Sequence, residues 1–202
     1  MKRVIFSEGE NDTIFLRELL IDRLSILEEN KILFFDQDSE EIKKNLKFAE
    51  DRYFGQLESE WMSFELLAKS EGGNKKVIDI TVSQLPYLCK KRYNPIMLID
   101  FDNGGIDTFI DRLKAKLIFR HRDLIIDSSE SHKNDDALMH SVKLSKNNKS
   151  LGTIYVIGFY GSLESVTGIK EDTPDAERIE LSRRYINTSK IHDIFTMALD
   201  NS

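Results

Sequence analysis

The chain has 202 residues, 40% of them hydrophobic and 32% charged, with a formal net charge of −6. That is enough apolar material for one sizeable core, and the interleaved charge signs read as solvated helix faces rather than disorder. The acidic balance excludes a general nucleic-acid coat, so any nucleic-acid contact must come from local basic patches. A single cysteine, Cys89, excludes an internal disulfide framework, argues against thiolate zinc chemistry, and makes a reducing, cytoplasmic compartment the default. The apolar run Val4–Phe6 is too short for a signal peptide. No run approaches the roughly 20 apolar residues of a membrane helix, so no membrane partner is expected.

In chain order, residues 3–7 predict a first strand. Ile14, Phe15, Leu16, Leu19, Leu20, Leu24 and Leu27 recur at helical spacing and predict a helix over 12–28. Asn11 or Asp12 is its candidate N-cap, and Gly9 marks the turn before it. Ile32–Phe35 is a short strand-like run. Residues 39–70 predict two helices broken near Gly55, with Leu57, Trp61, Phe64, Leu67 and Ala68 in the second stripe. The span 36–75 therefore reads as a helical insertion. Val77–Val82 alternates and is rich in β-formers, which predicts the second core strand, with a short helix over 84–92. A strand over 96–101 and a helix over 106–118 follow. Leu124–Asp127 predicts a short strand, and the polar stretch 128–150 predicts loops around one brief helix or strand. Thr153–Tyr160 is the last expected strand, and 175–202 a terminal helical region.

Two apolar strands run straight into carboxylates. Val4-Ile5-Phe6 leads to Glu8-Gly9-Glu10-Asn11-Asp12, and Ile96-Met97-Leu98-Ile99 leads to Asp100-Phe101-Asp102-Asn103-Gly104-Gly105. Short apolar runs of this kind suit buried parallel strands, whose carboxyl ends are where an open α/β sheet gathers ligands. Asp100 and Asp102, two apart on an extended segment, share a side, and their mutual repulsion is relieved by a cation. Hard divalent cations such as Mg²⁺ take oxygen ligands, usually one or two carboxylates plus water and phosphate. Glu8 is thus a metal ligand or a general base, against a plain role at the positive end of the next helix. Asp12 is a helix cap or an outer ligand. Glu164, after the last strand, is a third candidate ligand or a solvated helix-start residue. Gly9, Gly104 and Gly105 would allow close approach of a phosphate, although glycine pairs often mark only turns.

These paired motifs, Glu8-Gly9 and Asp100-Phe101-Asp102, resemble the Toprim domain shared by topoisomerases, bacterial primases and OLD-family nucleases. The segment Glu8-Gly9-Glu10-Asn11-Asp12-Thr13 looks most like the nuclease branches. The resemblance covers roughly 1–120, extending to about 165. It implies a single α/β domain over 1–202. The sheet would be mostly parallel, Rossmann-like and flanked by helices, with the helical insertion added. It further implies Mg²⁺- or Mn²⁺-dependent hydrolysis of DNA or RNA, with Glu8, Asp100 and Asp102 catalytic and metal-binding, and with Asp12 and Glu164 as further ligands.

Lys114, Lys116, Arg120 and Arg122 form a basic run that could hold phosphates, or simply a solvated face. Lys143, Lys146 and Lys149 form another. The four histidines show no metal-ligand spacing and read as structural or exposed. No Gly-x-x-x-x-Gly-Lys-Ser/Thr loop is present, so any ATPase partner must be a separate chain. The rival reading is non-enzymatic: a Toprim-like partner-binding or regulatory subunit of a nucleic-acid processing or defence complex. Convergence of Glu8, Asp100, Asp102 and Glu164 on one cavity is what would separate the two.

Overall fold

A computed structural model describes residues 3–24, 28–35, 65–101 and 105–201. The strands are β1 (Arg3–Ser7), β2 (Ile32–Phe35), β3 (Leu66–Ser70), β4 (Ile96–Phe101), β5 (Ile125–Lys133), β6 (Ala137–Lys146) and β7 (Lys149–Tyr160). The helices are α1 (Glu10–Arg17), α2 (Asn74–Lys91), α3 (Gly105–Arg120), α4 (Leu163–Thr167), α5 (Asp175–Thr188) and α6 (Ile191–Asn201). All seven strands form one sheet in the order β2-β3-β1-β4-β7-β6-β5. The pairings from β2 to β7 are parallel, and the β7-β6 and β6-β5 pairings are antiparallel. This is a mixed α/β fold with a mostly parallel sheet flanked by helices.

The period-2 alternation of the strands splits the core in two. Val4, Phe6, Met97, Ile99 and Phe101 pack with α2 and α3 residues such as Val77, Leu85, Phe109 and Leu113. Ile5, Ile96, Leu98 and Ile157 pack on the other face with Phe15, Tyr185 and Phe195. Both faces of the parallel strands are therefore covered, which is why β1 and β4 read as unbroken apolar runs.

Four expectations change. Val77–Val82 is not a strand but part of the 18-residue helix α2. Val77, Thr81, Leu85 and Leu88 are its buried stripe, and tertiary burial overrides the β propensity of the β-branched residues. Leu67 and Ala68 belong to β3 rather than to a helix. The rest of the 39–64 segment lies outside the described residues. The helix expected over 12–28 starts at Glu10, and past Arg17 it continues as a π-helical turn, Glu18–Arg23. The polar stretch 128–150 is a β-hairpin and not loop. β6 then turns back into β7 through Asn147-Asn148, both left-handed at φ 51° and 59°, the backbone a two-residue hairpin turn requires. The terminal region is helical as expected, in α5 and α6.

Pro86 sits inside α2 and cannot donate to the carbonyl four residues earlier. That carbonyl, on Val82, instead meets His121 Nε2 at 2.9 Å. A carbonyl only accepts, so this ring nitrogen carries the proton. His121 thereby ties the end of α3 to α2, a structural role of the kind the sequence suggests for its lone histidines.

Candidate functional site

After β1 the chain turns to β2 on one side of the sheet; after β4 it turns to β5 on the other. Such a reversal leaves a crevice between adjacent strands at their carboxyl ends. Glu8 and Asp100 stand there.

The pairing of β1 with β4 stops at Phe6 and Met97, so β4 runs on past its neighbour. Glu8 Oε1 takes over, accepting the Asp100 backbone N–H at 2.7 Å. The carboxylate extends the ladder by one side chain, and its orientation is set by β4. Asp12 turns back from the first turn of α1, and one of its oxygens accepts the backbone N–H groups of Glu8 and Gly9, each at 2.9 Å. Asp100 Oδ1 accepts the Leu163 N–H at 2.9 Å and so fixes the start of α4. Glu164, the next residue, accepts from Asn11 Nδ2 at 2.7 Å. Asn74, opening α2, donates to the Asp100 carbonyl at 3.3 Å.

Glu8, Asp12, Asp100 and Glu164 all line one cleft of about 410 Å³, together with Gly9, Glu10, Glu171 and Arg178. Asp12 is buried, and its carboxyl is pushed well above the ordinary range. Burial is the largest cause, the Asp100 charge next, and Glu8 adds to it; the Gly9 and Glu8 N–H groups work in the opposite direction. The cleft thus holds more negative charge than it settles by itself. Arg178 is the cation on its wall: it pairs with Glu10 at 3.3 Å, and its Nε donates to the Thr173 carbonyl at 2.7 Å.

A hard divalent cation suits this donor set chemically. Besides the carboxylates, the side-chain oxygen of Asn11 on the cleft wall is buried without a hydrogen-bond partner, as are those of Asn74 and Ser7. Among the described residues, however, no three acidic, histidine or cysteine side chains already stand as a ligand group. Several carboxylate oxygens are turned toward backbone N–H groups instead.

Asp102 and Gly104 lie outside the described residues. Gly105 opens α3 at φ 64°, a left-handed position that favours glycine. Gly9 is extended at φ −146°, and an added Cβ there would meet nothing within 4 Å. Its backbone does not demand glycine, and its open side lies at the cleft. The basic run divides. Lys116 is paired with Asp79 of α2 at 2.5 Å and lines a second cavity of about 290 Å³ with Asn74, Lys75 and Arg112. Lys114 lies half-buried on α3. Arg120 ends α3 and Arg122 follows it, at the far end of a helix that at 16 residues is about 24 Å long, away from the acidic cleft. Sequence reasoning missed Arg178, which sits in a polar terminal helix with no motif around it. It also missed the buried Lys69–Glu71 pair at the end of β3.

No family model matches the sequence, and no curated protein does. Among solved structures, the chain is similar to the solution NMR structure of a de novo designed protein with a P-loop NTPase fold. Identity is 12%, coverage is 93% of this chain and 91% of that one, and the TM-score is 0.35. At that score the likeness carries no argument about either fold or function. No helix among the described residues is long and apolar enough to cross a membrane.

Proposed function

We propose that the chain is a divalent-cation-dependent phosphodiesterase acting on DNA or RNA, of the Toprim kind. The observation that carries this reading is the meeting of Glu8, Asp12 and Asp100 at the β1–β4 crevice, with the Asp12 carboxyl held protonation-prone by burial first and by the Asp100 and Glu8 charges after it. In this reading Glu8, Asp100 and Asp102 hold Mg²⁺ or Mn²⁺, with Asp12 and Glu164 supporting. The bound cation would supply charge stabilisation at the phosphoryl oxygens and a more acidic water. The protein's own part is orientation. The Asp100 N–H aims Glu8, and the Leu163 N–H aims Asp100. The open side of Gly9 leaves room for substrate. Lys75, Arg112 and Lys116 share a cavity with Asn74, which donates to the Asp100 carbonyl, and in this reading they meet the strand's phosphates.

Calorimetric titration of Mg²⁺ and Mn²⁺ into wild type and Asp100→Ala/Asp102→Ala tests the proposal, alongside cleavage assays on single- and double-stranded DNA and RNA. The expected result is cation binding and metal-dependent cleavage, both lost in the variant. Cleavage unchanged in the variant would sink the assignment. A second reading, a partner-binding subunit, is favoured by one observation: the exposed apolar cluster around 118–125.

A further inference from the structure

Among the described residues, five large hydrophobic side chains stand exposed, and three of them flank one turn in the sequence: Ile118 at 56% and Phe119 at 81% in the last turn of α3, and Ile125 at 58% at the start of β5, with Phe119 lining the groove beside it. The turn leaves α3 and enters β5. It borders a groove of about 550 Å³ with an aliphatic floor that includes Leu85, Pro86, Leu124 and Leu151. Arg120, Arg122 and Lys146 stand around the groove with a single carboxylate, Asp123. Lys146 Nζ donates to the Arg122 carbonyl at 3.3 Å, which joins the β6–β7 turn to the α3–β5 turn. His121 holds the groove's wall in place through the Val82 carbonyl.

Single exposed hydrophobics are ordinary, whereas a cluster of them beside a polar rim marks a contact surface. We infer that this groove docks a partner protein, through a segment that presents apolar anchors flanked by carboxylates. Lys146 pairs with Asp123 at 3.9 Å, which leaves Arg120 and Arg122 as the excess charge of the rim, so the complementary surface is acidic. The floor is aliphatic, Phe119 is the one Phe, Tyr or Trp in the lining, and the His121 ring is held to the Val82 carbonyl, so there is no series of free ring faces on which successive bases could stack. A two-fold contact between copies of this chain through this face would bring two arginine-rimmed surfaces together, which like-charge repulsion opposes. The groove lies at the opposite end of α3 from the acidic cleft, so this inference stands or falls independently of the cation site.

The test is a random-peptide display library panned on the wild-type protein, with counter-selection on Phe119→Ser/Arg120→Glu/Arg122→Glu. These side chains are exposed, and an unchanged thermal midpoint checks that the variant folds. Expected are enriched peptides that carry hydrophobic residues among Asp and Glu. Their synthetic forms should bind wild type, weaken with salt, and lose about tenfold or more in affinity for the variant. Peptides without acidic bias, or equal binding to the variant, overturn the inference. So does a fluorescent single-stranded 20-mer that binds wild type and is lost in the variant, which reassigns the groove to nucleic acid. A concentration-dependent dimer abolished by Phe119→Ser overturns it in favour of self-association.

Discussion

The two ends of this sheet carry opposite surfaces. At the carboxyl ends of β1 and β4, six carboxylates line one cleft, and Glu8, Asp12 and Asp100 each accept a backbone N–H. Past the other end of α3, arginines and large apolar side chains stand exposed around an aliphatic groove. Part of the contrast is inherited from topology. In a parallel sheet the helices start at the carboxyl ends of the strands, where their positive termini favour acids. They finish at the amino ends, where Lys90, Lys91 and Arg120 occupy last turns. A net charge of −6 hides this polarity altogether. Helix dipoles do not account for exposed Ile118, Phe119 and Ile125, and that residue of unexplained apolar surface separates a contact site from a solvated end.

The largest effect is expected at the carboxyl end of β3. Lys69 and Glu71 form an ion pair with side chains only 5% and 3% exposed. Removing Lys69 takes the cation away from a carboxylate that is almost wholly buried. Lys69→Ala should cost about 3–5 kcal/mol in chemical denaturation, while Lys69→Met/Glu71→Leu should recover most of it. A loss within ~0.5 kcal/mol for the single variant would mean that the pair is solvated. Next comes Gly158 on β7, whose missing side chain is filled by the Phe101 ring. Gly158→Ala overpacks that contact and should cost about 1–3 kcal/mol. Shrinking the ring in Phe101→Leu should restore part of it, and additive losses in the double-mutant cycle would show that the two residues do not share the space.

These two sites show what a sequence discloses and what it hides. The β1 and β4 strands and the carboxylates at their ends are legible because burial on both faces forces an apolar run, which the acidic residues end. Glu8, Asp12, Asp100 and Glu164 line one cleft. Lys69 and Gly158 are not legible, since a charge in a strand and a glycine in a strand mean opposite things in different cores. The strand reading of Val77–Val82 failed because β-branched residues fit either period, and only the partner surface decides. β5 was hidden for another reason: as an edge strand it buries little, so its sequence is polar.

At the other end, His121→Ala sharpens the comparison. It leaves the Val82 carbonyl, already denied a helical donor by Pro86, without its ring N–H. A loss of about 1–2 kcal/mol is expected. His121→Asn, whose side-chain amide still offers a donor, should lose less. Equal losses would assign the effect to packing.

The smallest effect concerns Asp12, and it connects stability to the proposed cation. An unperturbed aspartate titrates near 3.9. In the folded protein burial, then Asp100, then Glu8 raise the Asp12 value. Between the two values the folded chain keeps a proton that the unfolded chain has released. Stability therefore falls as pH climbs through that window, and the penalty is complete above the raised value. Asp12→Asn keeps an oxygen for the Glu8 and Gly9 N–H groups but never ionises. Its thermal midpoint should fall less than wild type's between pH 4 and neutrality, where a change of ~1 kcal/mol in a chain of this size moves the midpoint by about 2–4 °C. Millimolar Mg²⁺ should flatten the wild-type profile too, because a cation among Glu8, Asp12 and Asp100 favours the ionised carboxyl. Parallel profiles for wild type and Asp12→Asn would mean that Asp12 carries no such strain. A variant difference that Mg²⁺ leaves untouched would keep the strained carboxylate but take the cation out of its reach.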